Sequence, residues 1–332
     1  MFISILYQYL DPATVVARRI ANSLLILPFY KHCFDMSLDT LFSITANEDL
    51  AVNFLQQRHC IRRNGPNCSI CDRVMTLVKG GGDKRVWRCP THKSEKSSLR
   101  LGSFWENSHL PLRTLVRLAF LWSFDVPNKT TTSFTGLNKK TVTQWFQYFR
   151  DVCSHHLLQN PIMIGGPNVI VEVDESVITR RKYQRGHLVP ERWVFGGICP
   201  DTQEGFLIFV PSRDAATLLP IIQQHVRPGS IIHTDGWAAY NGIAGINVQP
   251  PYNHQTVNHT INFVDPITGA CTNHVENFWK RAKAKLKAMC GVQENFVESY
   301  LDEFLWRERF GGDGMEVFDN LLLHISQWYP TP

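Results

Sequence analysis

Apolar residues recur along the chain in changing rhythms, and each change marks a new kind of element. From Ser37 to Arg58, the positions Leu38, Leu41, Phe42, Leu50, Val52 and Leu55 fit one or two short helices, with Asn47 placed to cap the second. From Pro111 to the break at Pro127, the residues Leu112, Leu115, Val116, Ala119 and Trp122 return at helical spacing, which predicts one amphipathic helix opened by a proline. The polar stretch NKTTTSFT then runs into Gly136, and beyond Asn138 the helical period resumes at Val142, Trp145, Phe146, Phe149 and Cys153. Helix, short helix, glycine turn, helix is the order of a helix-turn-helix, although an ordinary three-helix connector shows the same pattern. The last helix carries Lys139, Lys140, Thr143, Gln144 and Gln147 near its start, where a recognition helix presents side chains to base edges or phosphates.

From Asn168 the texture is that of strands: NVIVEVD, RWVFGGIC and GFLIFVP are apolar, β-branched or aromatic, with turns between them. A helix over Asp214 to Val226 follows, then a strand SIIHTDG, a short helix at Trp237 to Tyr240, and a long helix from about Asn273 to Met289. Three strands, helix, strand, helix predicts a mixed α/β layer and not a barrel.

Between the two helical stretches the cysteines change the picture. Cys68-x2-Cys71, then seventeen residues, then Cys89-x2-His92 sets two ligand pairs at zinc-ribbon spacing. Val74 to Val78 and Arg85 to Arg88 read as short strands around Gly80-Gly81-Gly82, a hairpin turn. Thiolates and imidazole suit the tetrahedral preference of Zn²⁺, and the metal replaces a core that so short a segment cannot build. With all four positions filled by protein, such a zinc is structural. Nine cysteines, an odd number unevenly spaced, fit a reducing compartment better than a disulfide framework.

Composition bounds the rest. The 332 residues suit two or three domains, and 44% apolar with 19% charged residues excludes a wholly disordered, collagen-like or coiled-coil chain. The net charge of +5 conceals an asymmetry: residues 61 to 100 carry ten Lys/Arg against three acids, so that segment is +7 and the remainder −2. A block of this kind, where it is more than a solvated surface, suits a polyanionic partner, nucleic acid first. The opening MFISILYQYL lacks the basic start of a signal peptide, and the apolar run Ile20 to Tyr30 falls short of the ~20 residues that span a bilayer, so no membrane protein is expected. Residues 1–36 read as an N-terminal extension without a functional signal.

The carboxylates carry the candidate chemistry. Asp174 ends VIVEVD, Asp235 ends SIIHTD, and Glu276 lies in the first turn of the long helix. An acid ending a buried apolar strand is costly unless compensated, and a divalent cation compensates where several carboxylates converge. Singly, Asp235 before Gly236 reads as a turn former and Glu276, three residues after Asn273, as a capping-box glutamate. Glu172 shares the strand face of Asp174 as a supporting group, and His233, His254, His259 and His274 read best as structural histidines. On the long helix Glu276, Lys280, Lys283 and Lys287 form one stripe opposite Phe278, Trp279, Ala282, Leu286 and Met289, a basic rail for DNA running from the acids; the bland reading, favoured by the pattern alone, is a solvated Glu-Lys face. Lys182, Tyr183 and Arg185, just after the first aspartate, suit a phosphate clamp or a base-stacking group, or equally the cap of a hairpin.

These strings together resemble a known family. VEVDES at 171–176, RRKYQRGH at 180–187, WVFGG at 193–197, HTDGWAAY at 233–240 and HVENFWKRAK at 274–283 are similar to the transposases of Merlin-type DNA transposons, relatives of bacterial insertion-sequence transposases. The resemblance covers about residues 37 to 325, including the stretch SLRLGSFWENSHLPL at 98–112; it departs at His92, where a ribbon often closes with cysteine, and in residues 1–36. It implies an RNase H-like α/β catalytic domain at 165–328, preceded by short helices with a zinc ribbon (37–104) and a helix-turn-helix region (105–160). It further implies a DDE triad of Asp174, Asp235 and Glu276 holding Mg²⁺ or Mn²⁺, and metal-dependent cleavage and joining of DNA. The expected partners are transposon ends with their terminal inverted repeats, target DNA, and a second copy of the chain in the active complex. The expected location is the nucleus in a eukaryote, or the cytoplasm with the chromosome in a bacterium. The competing readings are a domesticated, non-catalytic DNA-binding protein and a carbohydrate hydrolase with paired carboxylates; the basic ribbon and helix-turn-helix have no place in the latter.

Overall fold

The computed structural model describes residues 37–81, 84–179, 192–258, 264–289 and 292–331. Residues 1–43 and 44–332 are separate compact units. The described end of the first enters helix α1 (Leu38–Ile44), whose start is held by Ser37 Oγ accepting from the Thr40 amide at 3.1 Å. In the second unit, α2 (Glu48–Gln57) begins at Asn47, whose side-chain oxygen accepts from the Leu50 amide at 3.0 Å, as a capping asparagine should.

Strands β1 (Thr76–Lys79), β2 (Arg85–Arg88) and β3 (Lys96–Ser98) form a small antiparallel sheet in that order. β1 and β2 close as a hairpin, with Lys79 opposite Arg85 and the Gly80 amide donating to the Lys84 carbonyl at 2.8 Å. Gly82 lies outside the described residues.

Three helices follow: α3 (Leu112–Ser123), α4 (Asn128–Thr135) and α5 (Lys139–Gln159). Gly136 ends α4 at φ +67°, a left-handed conformation that costs glycine nothing and turns the chain into α5, which Asn138 caps through Lys140 N at 2.8 Å. Pro111 gives α3 no side-chain cap; Glu48 of α2 does the work instead, accepting from the amides of Leu112 at 2.7 Å and Arg113 at 3.2 Å. Aromatic residues fill this layer, Trp105 stacking on Trp145 at 5.7 Å between centroids and Trp122 meeting Phe149 at 5.7 Å and Trp306 at 6.2 Å.

The larger sheet holds β4 (Ile170–Thr179), β5 (Arg192–Ile198), β6 (Gly205–Val210), β7 (Ile231–Thr234) and β8 (Asn253–Thr256) in the order β6-β5-β4-β7-β8. β4, β5 and β6 are antiparallel; β7 and β8 continue parallel to β4. This five-stranded mixed sheet fits an RNase H-like domain. The nearly continuous apolar runs of β5 and β6 follow from burial on both faces. On one face, α6 (Ala215–His225) and a 3₁₀ segment (Ala238–Gly245) cover Val171, Val173, Phe195 and Ile232 with Leu218, Ile222, Tyr240 and Ile243. On the other, α7 (Asn273–Ala288) and α8 (Val297–Phe310) cover Val194, Ile198 and Leu207 with Val275, Phe278, Trp279, Ala282 and Leu301. Gly196 lets α7 come close: a Cβ there would stand 2.7 Å from Leu207 and 2.9 Å from the Trp279 ring.

Helix α9 (Gly314–Trp328) returns to the helical layer, where Phe318 packs on Phe54 and Phe120. Arg307 of α8 reaches the same layer, donating to the carbonyls of Trp122 at 2.8 Å and Ser123 at 3.0 Å. The final two helices, and the polar strand β8, have no counterpart in the sequence reading. No helix among the described residues is long and apolar enough to cross a membrane.

Candidate functional site

Alternation along β4 sends Glu172, Asp174 and Ser176 to the face covered by α7, and Val171, Val173 and Glu175 to the other. The contacts follow that division: Lys283 of α7 donates to Ser176 Oγ at 2.6 Å, whereas Tyr240 of the 3₁₀ segment donates to Glu175 Oε2 at 2.5 Å. In the parallel pairing of β4 with β7, Glu172 stands opposite His233, so the same register continued two residues further sets Asp174 level with Asp235, just past the end of β7. Asp174 pairs with Gly196 on its other side. Glu276 arrives from the first turn of α7.

Electrostatics records how near these acids lie. Burial pushes the Asp174 carboxyl up to about 7, and the charges of Glu175, Asp235 and Glu276 push in the same direction. Glu175 is also raised, again chiefly by burial, with Asp235 adding repulsion and the Tyr240 hydroxyl and Arg213 opposing it. The structure therefore brings Asp174, Asp235 and Glu276 into one electrostatic cluster. It does not bring the trio into tight mutual contact: among the described residues, the groups whose donor atoms all lie within 4.8 Å are Cys68-Cys71-Cys89-His92 and Glu172-Cys271-His274. The single-residue reading of Asp235 holds as well, since its Oδ1 accepts from the Trp237 amide at 2.9 Å as a turn former does; the capping box expected of Glu276 with Asn273 does not form, because the N-cap is Thr272 and makes no side-chain cap bond. Glu276 receives the Thr272 hydroxyl at 3.5 Å.

Glu172 is buried, 1% exposed, and anchors the helix that carries Glu276. Thr272 gives α7 no side-chain cap. Glu172 supplies it from the sheet, accepting from the amides of His274 at 2.8 Å and Val275 at 3.0 Å and from His274 Nδ1 at 2.6 Å. A carboxylate at a helix N-terminus satisfies orphan amides and complements the helix dipole. Sequence reasoning placed Glu172 on the correct face but could not see which amides it meets, because 102 positions separate it from His274.

Of the basic residues on α7, Lys280 and Lys287 are exposed, while Lys283 is half-buried, tied to Ser176 and positioned 5.9 Å from the centre of the Trp279 ring. Burial lowers its pKa, Lys287 lowers it further, and Asp174 works against both. The lysine stripe is thus divided between solvent and site. Lys139, Lys140, Thr143 and Gln144 are exposed at the start of α5, but Gln144 donates to Tyr148 Oη at 2.6 Å. Gln147 is half-buried, donating to Asp151 and accepting from Arg150. Lys182, Tyr183, Arg185 and His259 lie outside the described residues. Glu175, Tyr240, Arg213 and Trp237 were not singled out as site residues; their signals were the second acid of VEVDES and the aromatic residues after HTDG.

A second cluster stands apart. Cys71 Sγ lies 3.6 Å from Cys89 Sγ, and His92 Nδ1 lies 3.9 Å from Cys68 Sγ and 4.0 Å from Cys89 Sγ. A tetrahedron with Zn–S bonds of ~2.3 Å has S···S edges of about 3.8 Å, so the donor set and its spacing fit zinc. The His92 amide also donates to Cys89 Sγ at 3.1 Å, the hydrogen bond of a knuckle turn.

Comparison with known proteins bears on this architecture. The ISXO2-like transposase domain matches residues 165–309, the span that contains the large sheet and all three acids. The chain is 33% identical over 102 residues to an uncharacterized transposase-like protein of Haemophilus influenzae, covering 31% of this chain and 78% of that one. It is 24% identical over 222 residues to the male abnormal protein mab-31 of Caenorhabditis elegans, covering 58% of this chain and 50% of that protein. Among solved structures, a chain of the simian T-cell lymphotropic virus intasome in complex with the PP2A regulatory subunit B56 gamma aligns at 15% identity and a TM-score of 0.29, over 57% of this chain and 67% of that one.

Proposed function

Because the chain belongs to the ISXO2-like transposase family, we propose that it is a DDE transposase that cuts the ends of a DNA element and joins them to target DNA. Asp174, Asp235 and Glu276 are the proposed ligands of one or two Mg²⁺ or Mn²⁺ ions. What supports the reading is the arrival of three acids from β4, the end of β7 and α7 in one place: Asp174, raised to about 7 chiefly by burial, also feels the charges of Asp235 and Glu276. Hard oxygen donors spaced more widely than the cysteine cluster suit magnesium, which keeps several waters and takes one or two carboxylates per ion. The metal, when bound, would activate the attacking oxygen, first of water and then of a DNA 3′-hydroxyl, and stabilise the leaving oxygen. The protein's own part is placement. Glu172 holds the Glu276 helix against the strand that bears Asp174, and Lys283 keeps a positive charge beside that aspartate.

In the same reading, residues 37–104 form a ribbon with structural zinc on Cys68, Cys71, Cys89 and His92. Residues 105–160 form a helix-turn-helix presenting Lys139, Lys140 and Gln144 to DNA, and residues 165–328 form the DDE domain of a Merlin-type enzyme. Lys280 and Lys287 extend the DNA path along α7. Holding two ends together requires at least two copies of the chain.

The test is incubation of purified protein with DNA flanking its own gene, with and without Mn²⁺, beside Asp235→Ala. Metal-dependent nicking or joining at defined ends, lost in the variant, is the expected result. Specific binding without cleavage would replace the enzyme by a domesticated DNA-binding protein.

A further inference from the structure

Next to the carboxylates stands an aromatic and cationic cluster that the proposed chemistry leaves unused. Trp237 follows Asp235 by two residues. Its amide donates to Asp235 Oδ1 at 2.9 Å and its indole Nε1 donates to the Arg213 carbonyl at 3.2 Å, so backbone and ring are both fixed. The residue is nevertheless 44% exposed. Arg213, in the turn between β6 and α6, lays its guanidinium 3.7 Å from the centre of the Trp193 ring and 5.1 Å from that of Trp237. The same arginine lowers the pKa of Glu175, which feels Asp235 as well, so its charge belongs to the electrostatic neighbourhood of the acids.

An exposed tryptophan is unremarkable by itself. One that is tethered at both amide and indole loses little freedom when a flat ligand stacks on it, and most of the contact energy is kept. A nearby guanidinium adds cation–π attraction to the ligand and a charge for its phosphate. The ligand that combines a π-face with a phosphate, at a site of DNA phosphoryl transfer, is a nucleotide.

We infer that Trp237 and Arg213 form a stacking site for an unpaired nucleobase at the DNA end, one step from Asp235. This rests on the transposase reading and adds to it a preference for ends whose terminal bases are open. Holding a base out of the duplex stack costs unstacking and unpairing, and an end already frayed is spared that cost.

The experiment uses the full-length, zinc-loaded protein without Mg²⁺ or Mn²⁺. The probes are duplex DNA flanking its own gene, either blunt or with about three unpaired terminal bases carrying 2-aminopurine. The wild type is expected to bind the open end more tightly and to quench 2-aminopurine. Trp237→Leu should weaken binding of the open end by roughly tenfold and abolish quenching, leaving blunt-duplex affinity in place as proof of an intact fold. Trp237→Phe, which keeps an aromatic face, should retain most of the preference, and Arg213→Gln should lose part of it. Equal affinity and quenching in wild type and Trp237→Leu would overturn the inference while leaving the transposase reading standing. An equal loss on both probes would overturn it too, since it would mark general DNA contact or misfolding. No binding of either probe by the wild type would remove the transposase reading and this inference together.

Discussion

The cysteine-histidine cluster and the carboxylate cluster are built on opposite plans. The first draws its four donor residues from 25 consecutive positions, Cys68 to His92, and its donor atoms lie within 4.8 Å of one another. It stands beside a three-stranded sheet in which Trp87 is the one buried side chain. The second draws its acids from β4, the end of β7 and α7, more than 100 residues apart at the extremes, on a scaffold packed on both faces of the sheet. Soft ligands close together can be held by local turns, and there the metal takes the place of a core. Like charges kept near one another and short of contact need a rigid fold behind them, since each raises the other's pKa. A local cluster suits a structural metal, and a cluster assembled by the whole fold suits chemistry that needs open coordination positions.

Removing the proposed zinc should produce the largest effect and test the first half of this contrast. Structural zinc contributes on the order of 10 kcal/mol in small ribbons, so Cys89→Ser or a strong chelator is expected to unfold β1–β3. Loss of amide dispersion for residues 68–98 in NMR spectra, with α3, α5 and the large sheet retained, would show it; an unchanged ribbon would mean that the segment has a sufficient core of its own. Next comes the anchor of α7. Glu172→Ala strips the amides of His274 and Val275 of their acceptor and is expected to cost about 1–3 kcal/mol in thermal or denaturant unfolding. Glu172→Gln, which keeps an acceptor without the charge, should recover part of that.

The carboxylates should behave in the opposite sense to the thiols. With its folded pKa at about 7 against the ordinary aspartate value of 3.8, Asp174 is better accommodated protonated than ionised. The fold therefore bears no penalty from it below pH 3.8; the penalty grows as pH rises through that range and is complete above about 7. In metal-free protein, Asp174→Asn is expected to match wild-type stability near pH 4 and exceed it by about 1–2 kcal/mol at pH 8, allowing for solvent screening. Magnesium should reverse the order by stabilising only the wild type. A variant less stable than wild type at pH 8 without metal would break the contrast between the clusters. The smallest effect belongs to the exposed lysines: Lys280→Gln and Lys287→Gln should leave stability unchanged and each reduce the slope of log K against log salt for DNA by about 1.

Periodic elements were legible because their physics is local. The helix opened by Pro111, the strand VIVEVD and the asparagine caps at 47 and 138 declare themselves in a few residues. The acids of the site were legible because an acid after an apolar run has to be explained, although Asp174 lies within β4, which runs on to Thr179, and not at a strand end as VIVEVD suggested. Distant partnerships were not. Nothing near Glu48 or Glu172 shows that each caps a helix tens of residues away. Nor does NHQT, with no apolar alternation, announce the parallel edge strand β8 that follows the register of β7. Lys283 illustrates the same limit on a helix already assigned, since a stripe drawn at helical spacing gives angular position and leaves open how close the sheet approaches.

That closeness gives Gly196 a meaning beyond packing. It is the residue directly opposite Asp174 in the sheet, and the Trp279 ring rests where its side chain would be, three positions along the helix from Glu276. The thickness of whatever occupies position 196 thus sets the gap between helix and strand, and with it the span from Glu276 to Asp174. A single methyl group would act as a wedge under one end of a lever, widening the gap between the acids without touching any of them.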